Sequence, residues 1–218
     1  MSLRRTLAFL LLSTLIACSG SGPVQPDPQG PSLPATSLGE STVGAPFERS
    51  IAASAGTAPL SYSAQGLPPG IALDPSSGKL SGSPASAGTF AIDASVSDAA
   101  GRSDQRQYSL IVLEAPHFVS DSLPPATVGV SYAARIEATG GRAPLAYTFG
   151  GGTTPPGLGI DASGTLSGIP STPGSYSFEL SVTDAHGAVK RASFTLEVRG
   201  NTPAFITTTL PDAYRNHS

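Results

Sequence analysis

The sequence predicts an all-β protein, built as two tandem β-sandwiches that follow an export signal and a proline-rich linker. Three observations indicate this architecture. The 218-residue chain contains 25 Gly and 21 Pro, and both residues disfavour helix interiors. Apolar and polar residues alternate along several segments, which is the pattern of half-buried strands. A set of motifs also occurs twice, about 86 residues apart, a distance that fits a repeated domain rather than a solenoid unit.

The N-terminal segment has the features of a bacterial export signal in their usual order. Arg4 and Arg5 precede an apolar run over residues 7–16, which is too short to cross a bilayer as a helix. The run ends in Leu-Ile-Ala-Cys, and Cys18 is the only cysteine of the chain. This ending resembles the lipobox of bacterial lipoproteins, in which the cysteine is lipidated and becomes the first mature residue. We therefore expect a signal peptide over 1–17 and, from the resemblance, a lipid anchor on Cys18.

Residues 18–37 are predicted to form a tether beyond the lipidated cysteine. The segment contains five prolines among serines and glycines, a composition that buries too little apolar surface to fold and favours extended chain. Ser19 follows the cysteine where an aspartate would retain many Gram-negative lipoproteins at the inner membrane. The resemblance therefore implies a location in the bacterial cell envelope, at the outer membrane. An ordinary secretory peptide with an incidental cysteine is the alternative interpretation.

Matched motifs define two repeats, predicted over residues 38–114 and 115–200. The matched pairs are Val43-Gly44 with Val128-Gly129, Pro68-Pro69-Gly70 with Pro155-Pro156-Gly157, Gly78-Lys79-Leu80-Ser81-Gly82 with Gly164-Thr165-Leu166-Ser167-Gly168, and Val96-Ser97-Asp98 with Val182-Thr183-Asp184. Residues 201–218 begin like a third copy, since Leu210-Pro211 matches Leu123-Pro124. We expect this segment to be the start of an incomplete third repeat or a disordered tail.

The last two strands of each repeat are predicted most clearly. Two alternating runs surround a glycine-containing turn, which is the pattern of a β-hairpin. The apolar positions are Phe90, Ile92, Ala94, Val96, Tyr108, Leu110 and Val112 in the first repeat, and Tyr176, Phe178, Leu180, Val182, Phe194, Leu196 and Val198 in the second. Earlier strands are expected over 47–53, 59–64, 131–138 and 144–149, with short hairpins across 76–78 and 162–164. Several short strands in so few residues indicate a β-sandwich.

Two long strings carry a family resemblance. They are LPPGIALDPSSGKLSGSPASAGTFAIDASVSDAAG and PPGLGIDASGTLSGIPSTPGSYSFELSVTDAHG. Both resemble the bacterial putative Ig domains, which belong with the cadherin-like, dystroglycan-type modules. The resemblance covers residues 38–199. It implies immunoglobulin-like sandwiches displayed on cell surfaces, often in tandem arrays, and it implies no particular ligand.

Four aspartates at turns are the candidate metal ligands. Asp98 and Asp184 end long strands, whereas Asp74 and Asp161 open short hairpins. The simpler interpretation is that each carboxylate accepts hydrogen bonds from N–H groups of its own turn. The alternative is calcium at Asp98 and Asp184, because cadherin repeats bind calcium at comparable strand ends. Calcium prefers roughly six to eight oxygen ligands, and the linkers over 113–117 and 199–203 each hold at most one acidic residue.

No catalytic motif occurs in the sequence, and we expect the protein not to be an enzyme. His186 lies beside Asp184, but the first repeat has Ala100 at that position, so we expect a loop histidine rather than an acid–base pair. A net charge of −3 gives no basic surface for nucleic acid. Sugar sites commonly stack a ring on an exposed aromatic side chain. The chain has no Trp, and the remaining candidates are expected in the core; they are Tyr62, Tyr132 and Tyr147.

The expected function follows from this organisation. The chain is predicted to be a membrane-anchored cell-surface or periplasmic lipoprotein whose repeats act as a non-catalytic spacer or adhesion module. Its expected partners are the lipid bilayer, through acylated Cys18, and an unidentified protein or glycan. No cofactor is expected unless calcium binds. Two alternatives remain open at this point: the N-terminal targeting part of a larger secreted enzyme, and a calcium-dependent cadherin-like adhesin.

Overall fold

A computed structural model describes residues 29–201 and shows two β-sandwiches in tandem. These residues form sixteen strands, and they include no helix long and apolar enough to cross a membrane. The predicted signal peptide, Cys18 and the segment that resembles a third repeat lie outside the described residues. The all-β prediction is confirmed.

The first repeat consists of seven strands in two sheets. They are β1 (Glu40–Thr42), β2 (Phe47–Ser50), β3 (Ser61–Gln65), β4 (Ile71–Leu73), β5 (Lys79–Gly82), β6 (Gly88–Ser97) and β7 (Ser103–Leu113). One sheet has the order β1-β7-β6-β3 and the other the order β2-β5-β4. Strand β1 runs parallel to β7, whereas the other neighbours are antiparallel.

The second repeat has the same architecture. Its strands are β8 (His117–Phe118), β9 (Ala126–Thr127), β10 (Tyr132–Arg135), β11 (Ala138–Thr139), β12 (Ala146–Gly152), β13 (Leu158–Ile160), β14 (Thr165–Gly168), β15 (Gly174–Thr183) and β16 (Val189–Arg199). The sheets have the orders β12-β15-β16-β9 and β10-β14-β13, and β8 pairs separately with β11. Strand β9 runs parallel to β16, as β1 does to β7.

Each repeat has its own apolar core, which the alternating pattern predicted. In the β6–β7 hairpin Ile92 pairs with Tyr108, and in the β15–β16 hairpin Phe178 pairs with Phe194. The inward positions of both hairpins are buried, except that Phe90 and Tyr176 are only partly so. The three tyrosines considered for sugar stacking are buried as well, at 5% exposure for Tyr62 and 8% for both Tyr132 and Tyr147. Their rings belong to the cores and offer no stacking surface.

The first repeat begins earlier in the structure than the sequence analysis predicts. Residues 30–37 were expected in the tether, but Leu33 is 2% exposed and packs in the first core. Its backbone N–H donates to the Asp104 carboxylate at 2.8 Å, and the Tyr108 hydroxyl donates to the Pro34 carbonyl at 2.9 Å. A bridge between Ser32 and Ser54 corresponds to the β8–β11 pair of the second repeat. A single leucine among prolines gives no period, which is why the segment resembled a linker.

Several strand bounds also differ from the prediction by a few residues. Strand β2 ends at Ser50 rather than at 53, although Ile51 remains fully buried. Strand β12 continues to Gly152 because its register shifts between Phe149 and Gly151, as at a β-bulge. An irregular backbone of this kind preserves burial without preserving strict alternation.

The matched glycines at the end of β5 and β14 are required by a close backbone approach. Gly168 has a φ of +140°, and a Cβ added there would lie 2.1 Å from the Gly157 carbonyl oxygen. The same arrangement joins Gly82 to Gly70 in the first repeat, at 2.0 Å. The PPG and SG motifs of the sequence therefore meet across one sheet edge, where no side chain fits.

We predict that Gly168→Ala destabilises the second repeat by at least about 2 kcal/mol, because the added Cβ combines unfavourable φ with overlap on a carbonyl. Gly159→Ala is the matched control: Gly159 lies in β13 of the same sheet, and its Cβ would meet nothing within 4 Å. The control should change stability by less than about 1 kcal/mol. Urea denaturation of both variants measures the difference, and equal effects would contradict the close-approach explanation.

Candidate functional site

Asp98 and Asp184 occupy equivalent positions and organise equivalent turns at one end of each repeat. The Asp98 carboxylate accepts the backbone N–H groups of Thr57 (3.0 Å), Ala100 (3.0 Å) and Arg102 (2.9 Å). Each carboxylate therefore holds together the two loops at its end of the sandwich. The corresponding donors to Asp184 are the N–H groups of Arg142 (2.8 Å), His186 (3.0 Å) and Ala188 (2.8 Å).

The two aspartates differ in their remaining partner. Asp98 Oδ2 receives the guanidinium of Arg102, from Nε at 3.0 Å and Nη2 at 2.7 Å, within the same turn. Asp184 Oδ2 instead receives the hydroxyl of Thr42, which donates at 2.6 Å from the preceding repeat. The second aspartate thus links the repeats, whereas the first completes its hydrogen bonds within its own repeat.

His186 contributes a second link to the same hydroxyl. Its Nδ1 lies 2.9 Å from Thr42 Oγ1. The hydroxyl has one proton, which it donates to Asp184, so Oγ1 is the acceptor in the contact with the ring. His186 therefore carries a proton on Nδ1 in this arrangement. The structure thus places this loop histidine in a hydrogen-bonded contact between the repeats, which the sequence analysis does not predict.

Further contacts surround this pair, and we call the whole set the repeat junction. Arg142 forms an ion pair with Glu40 across the two repeats, and the Gly141 N–H donates to the Glu114 carbonyl in the linker at 2.8 Å. Thr42 and Ala45, on the side of the first repeat, are both fully buried. The members of the junction are Glu40, Thr42, Ala45, Glu114, Gly141, Arg142, Asp184, His186 and Ala188.

Hydrogen bonding keeps both strand-end carboxylates ionised. The pKa of Asp98 is lowered from 3.8 to about 2, chiefly because the Thr57 N–H donates to it and the Arg102 groups add to this against the cost of burial. For Asp184 burial is the largest influence and opposes ionisation. The donors Thr42, Arg142, Ala188 and His186 together outweigh it and hold the pKa below its ordinary value.

Asp74 and Asp161 have the turn-forming role that the sequence analysis preferred. Ser76 donates to Asp74 through both its hydroxyl (2.7 Å) and its N–H (2.9 Å), and these bonds, with those of Ser77, lower the pKa of Asp74 to about 2. Asp161 accepts the N–H of Thr165 and the hydroxyl and N–H of Ser163, which lowers its pKa. Both carboxylates stabilise hairpin turns.

The strand-end aspartates do not fit a calcium ion. Calcium requires several converging oxygen ligands, but the groups around Asp98 and Asp184 are N–H and O–H donors. The structure does not bring the two carboxylates together, because one lies in each repeat. Across residues 29–201 no group of three or more acidic, histidine or cysteine side chains is placed to hold a metal.

The residues that form the junction were largely missed by the sequence analysis, which considered only the aspartates and His186. A position-by-position comparison of the two repeats could have indicated the junction. Arg102 in the first repeat corresponds to Ala188 in the second, and Ala100 corresponds to His186, although the aspartate, the next alanine and the glycine of the turn are the same. Such a difference within a matched motif marks a position where the two repeats have different surroundings.

Comparison with known families decides the identity of the fold. The sequence model of the putative Ig domain matches twice in tandem, over residues 30–113 and 115–199. The chain belongs to the putative Ig domain family. The first match begins at residue 30, which agrees with the packing of Leu33 in the first core. No curated protein sequence matches the chain.

Several solved structures are similar to the tandem Ig domains. A titin I-band fragment, I67–I69, has 17% identity over 78% of this chain and 64% of its own, with a TM-score of 0.41. Extracellular cadherin domains 3–6 of protocadherin gamma B2 have 15% identity over 78% of this chain and 52% of their own, with a TM-score of 0.34. A putative α-galactosidase from Bacteroides fragilis has 25% identity over 46% of this chain, with a TM-score of 0.36. The match spans only 20% of that enzyme's length.

We predict that Thr42→Val weakens the repeat junction, because it removes the donor to a charged acceptor while preserving side-chain shape. The expected loss is about 2 kcal/mol of stability in the second repeat, the usual size for a hydrogen bond to a charged group. Thr127→Val is the matched control, since Thr127 holds the same position in the second repeat and is only partly buried. The control should stay within about 0.5 kcal/mol of the parent in urea denaturation. Equal losses in the two variants would show that Thr42 acts within its own repeat.

Proposed function

We propose that this chain is a lipid-anchored spacer of the bacterial envelope. In this proposal Cys18 carries the lipid, and residues 19–29 connect it to the first Ig-like repeat. The two repeats then form one extended, non-catalytic body that holds a binding surface or a further domain away from the membrane. The partner of this surface would be a protein or a glycan at the cell surface.

The repeat junction is the observation that supports the spacer role. Two domains on a flexible linker would leave Thr42 exposed to water, whereas it is fully buried and bonded to Asp184. Within residues 29–201 no buried side-chain N or O atom lacks a hydrogen-bond partner. An unpaired buried polar group is costly. The repeats could therefore separate only if water replaced the hydrogen bonds of all the junction's polar groups together. A junction of this kind fixes the direction of one repeat relative to the other.

The linker supports the same conclusion. The Glu114 carbonyl is held by the Gly141 N–H at 2.8 Å, so the connection between the repeats is itself part of the junction. The Arg142–Glu40 ion pair is half-exposed and adds little energy for that reason. Its contribution is orientation, because it lies beside the buried Thr42–Asp184 bond and opposes rotation about it.

The support for the anchor comes from the sequence. A positive segment, a short apolar run and a cysteine follow one another at the N terminus, and stable anchoring of a soluble domain needs more than one acyl chain. Bacterial lipoproteins, which this segment resembles, carry two or three. The Pro-rich residues that follow would give the first repeat clearance from the lipid surface.

We predict that Cys18→Ser releases the protein from the membrane. In a bacterial host the parent chain should sediment with membranes and incorporate labelled palmitate, and the variant should do neither. Thr42→Val in the parent background is the control, since it lies outside the signal and should leave both properties unchanged. Membrane fractionation followed by mass spectrometry of the N-terminal peptide measures the result. A parent chain without acyl groups would overturn the anchor.

We predict that the two repeats behave as one extended body in solution. Small-angle X-ray scattering of the chain without residues 1–17, and with Cys18→Ser, should give a single elongated shape. Thr42→Val combined with Arg142→Ala should broaden the distribution of interatomic distances, because both links across the junction are then lost. Thr127→Val with Arg135→Ala is the control, as both residues lie outside the junction. A parent chain with freely reorienting repeats would contradict the spacer role while leaving the anchor intact.

A further inference from the structure

We propose that Arg102 closes the N-terminal end of the repeat array. In this proposal the first repeat cannot receive a preceding repeat, and the array extends only from the far end of the second repeat, where Thr127 reproduces the position of Thr42. The occupant of that far end is another Ig-like repeat with an aspartate and a small residue in the positions of Asp184 and Ala188. The proposal rests on the repeat junction, as the spacer role does, and it is independent of the lipid anchor.

The loop end of the first repeat that carries Asp98 has the same backbone arrangement as the end of the second repeat that forms the junction. Asp98 is held by three backbone N–H groups at positions equivalent to those that hold Asp184. The Gly56 N–H donates to the Gln29 carbonyl at 3.0 Å, as the Gly141 N–H does to the Glu114 carbonyl at 2.8 Å. The chain therefore approaches both repeats in the same way, and backbone geometry does not distinguish the two ends.

The side chain of Arg102 is what distinguishes the Asp98 end of the first repeat from the Asp184 end of the second. Its Nε and Nη2 both donate to Asp98 Oδ2, the oxygen equivalent to the one that accepts from Thr42 in the second repeat. Together with the Thr57 N–H, three donors meet this one oxygen, and two more meet Oδ1. An ionised carboxylate has about four acceptor positions. No position is left for the hydroxyl of a preceding repeat.

The rest of the Arg102 side chain reinforces this closure. Nη2 also donates to the Thr57 hydroxyl at 2.9 Å, and a Cβ placed on Gly30 would lie 3.6 Å from the Arg102 Cβ. The arginine therefore covers the loop end on which a preceding repeat would sit. In the second repeat Ala188 and Ala115 replace Arg102 and Gly30, and Ala188 is 2% exposed in the junction.

The far end of the second repeat has the threonine that donates the hydrogen bond in a junction. Thr127 ends β9 beside β16, as Thr42 ends β1 beside β7. The loops that follow the two threonines also make equivalent hydrogen bonds. The Gly44 N–H donates to the Pro84 carbonyl and the Gly129 N–H to the Pro170 carbonyl, each at 2.9 Å. Burial differs: Ala45 is fully buried, whereas its counterpart Val130 is 51% exposed. An apolar side chain and a threonine hydroxyl are thus presented at this end.

A second copy of this chain is a poor occupant for that surface. Its first repeat would have to offer Asp98, whose acceptor positions are filled by Arg102. Its second repeat already uses Asp184 within its own junction. Copies of the chain should consequently not associate end to end, and extension requires a repeat of the second type.

The experiment inserts an additional copy of residues 115–199 between residues 28 and 29 of the chain. The inserted repeat then precedes the first repeat with the native connection of Gln29 and Gly30. Nitrogen-15 relaxation measures whether the inserted repeat tumbles with the first repeat or separately. We expect separate tumbling when Arg102 is present and joint tumbling in the Arg102→Ala variant. Adding Thr127→Val to the inserted copy of that variant should restore separate tumbling.

Two results would overturn the proposal. Joint tumbling with Arg102 present would show that Arg102 does not close the end. Separate tumbling in the Arg102→Ala variant would show that Thr127 does not act as the hydrogen-bond donor of a junction. A reciprocal variant guards against misfolding of Arg102→Ala. Ala188→Arg in the native chain should separate the two natural repeats without loss of their folded amide spectra, because an arginine is accommodated at this turn position in the first repeat. Retention of joint tumbling in that variant would equally overturn the proposal.

Discussion

The carboxylate at the end of the long hairpin strand is the group on which each repeat and their connection depend. An ionised carboxylate in a loop must find several donors, because an unsatisfied buried charge is far more costly than any single bond it makes. Asp98 and Asp184 meet that requirement with three backbone N–H groups each, and these groups come from two different loops. The loops at one end of the sandwich are consequently held by a single side chain. The remaining donor differs between the repeats: it is Arg102 for Asp98 and Thr42 for Asp184. Because Thr42 belongs to the other repeat, its hydrogen bond produces the junction.

The strands and cores could be predicted from sequence because they depend on local periodicity. Ile92 and Val96, for example, share one face of a strand simply because they are an even number of residues apart. The repeated PPG and SG motifs also had the correct positions, although their physical reason is a carbonyl that passes too close for a Cβ at Gly168.

The junction could not be predicted in the same way. Thr42 and Asp184 are 142 residues apart, and a threonine at the end of a strand has no distinctive pattern around it. Leu33 is a similar case, since one buried leucine among prolines has no period to reveal it. Only the comparison of one repeat with the other, at Arg102 and Ala188, contains information about what lies outside each turn. Repetition within a chain thus provides an internal reference that a single domain lacks.

The parallel pairing of β1 with β7 has a mechanical consequence. Glu40, Ser41 and Thr42 lie beside Ile111, Val112 and Leu113, so a strand near the start of the repeat is bonded directly to the strand through which the chain leaves it. A pull on the two ends slides these strands lengthwise and loads their hydrogen bonds together, in shear, instead of opening them one after another. The second repeat has the same geometry between β9 and β16. Each sandwich thereby resists a pull applied to the two ends of the chain.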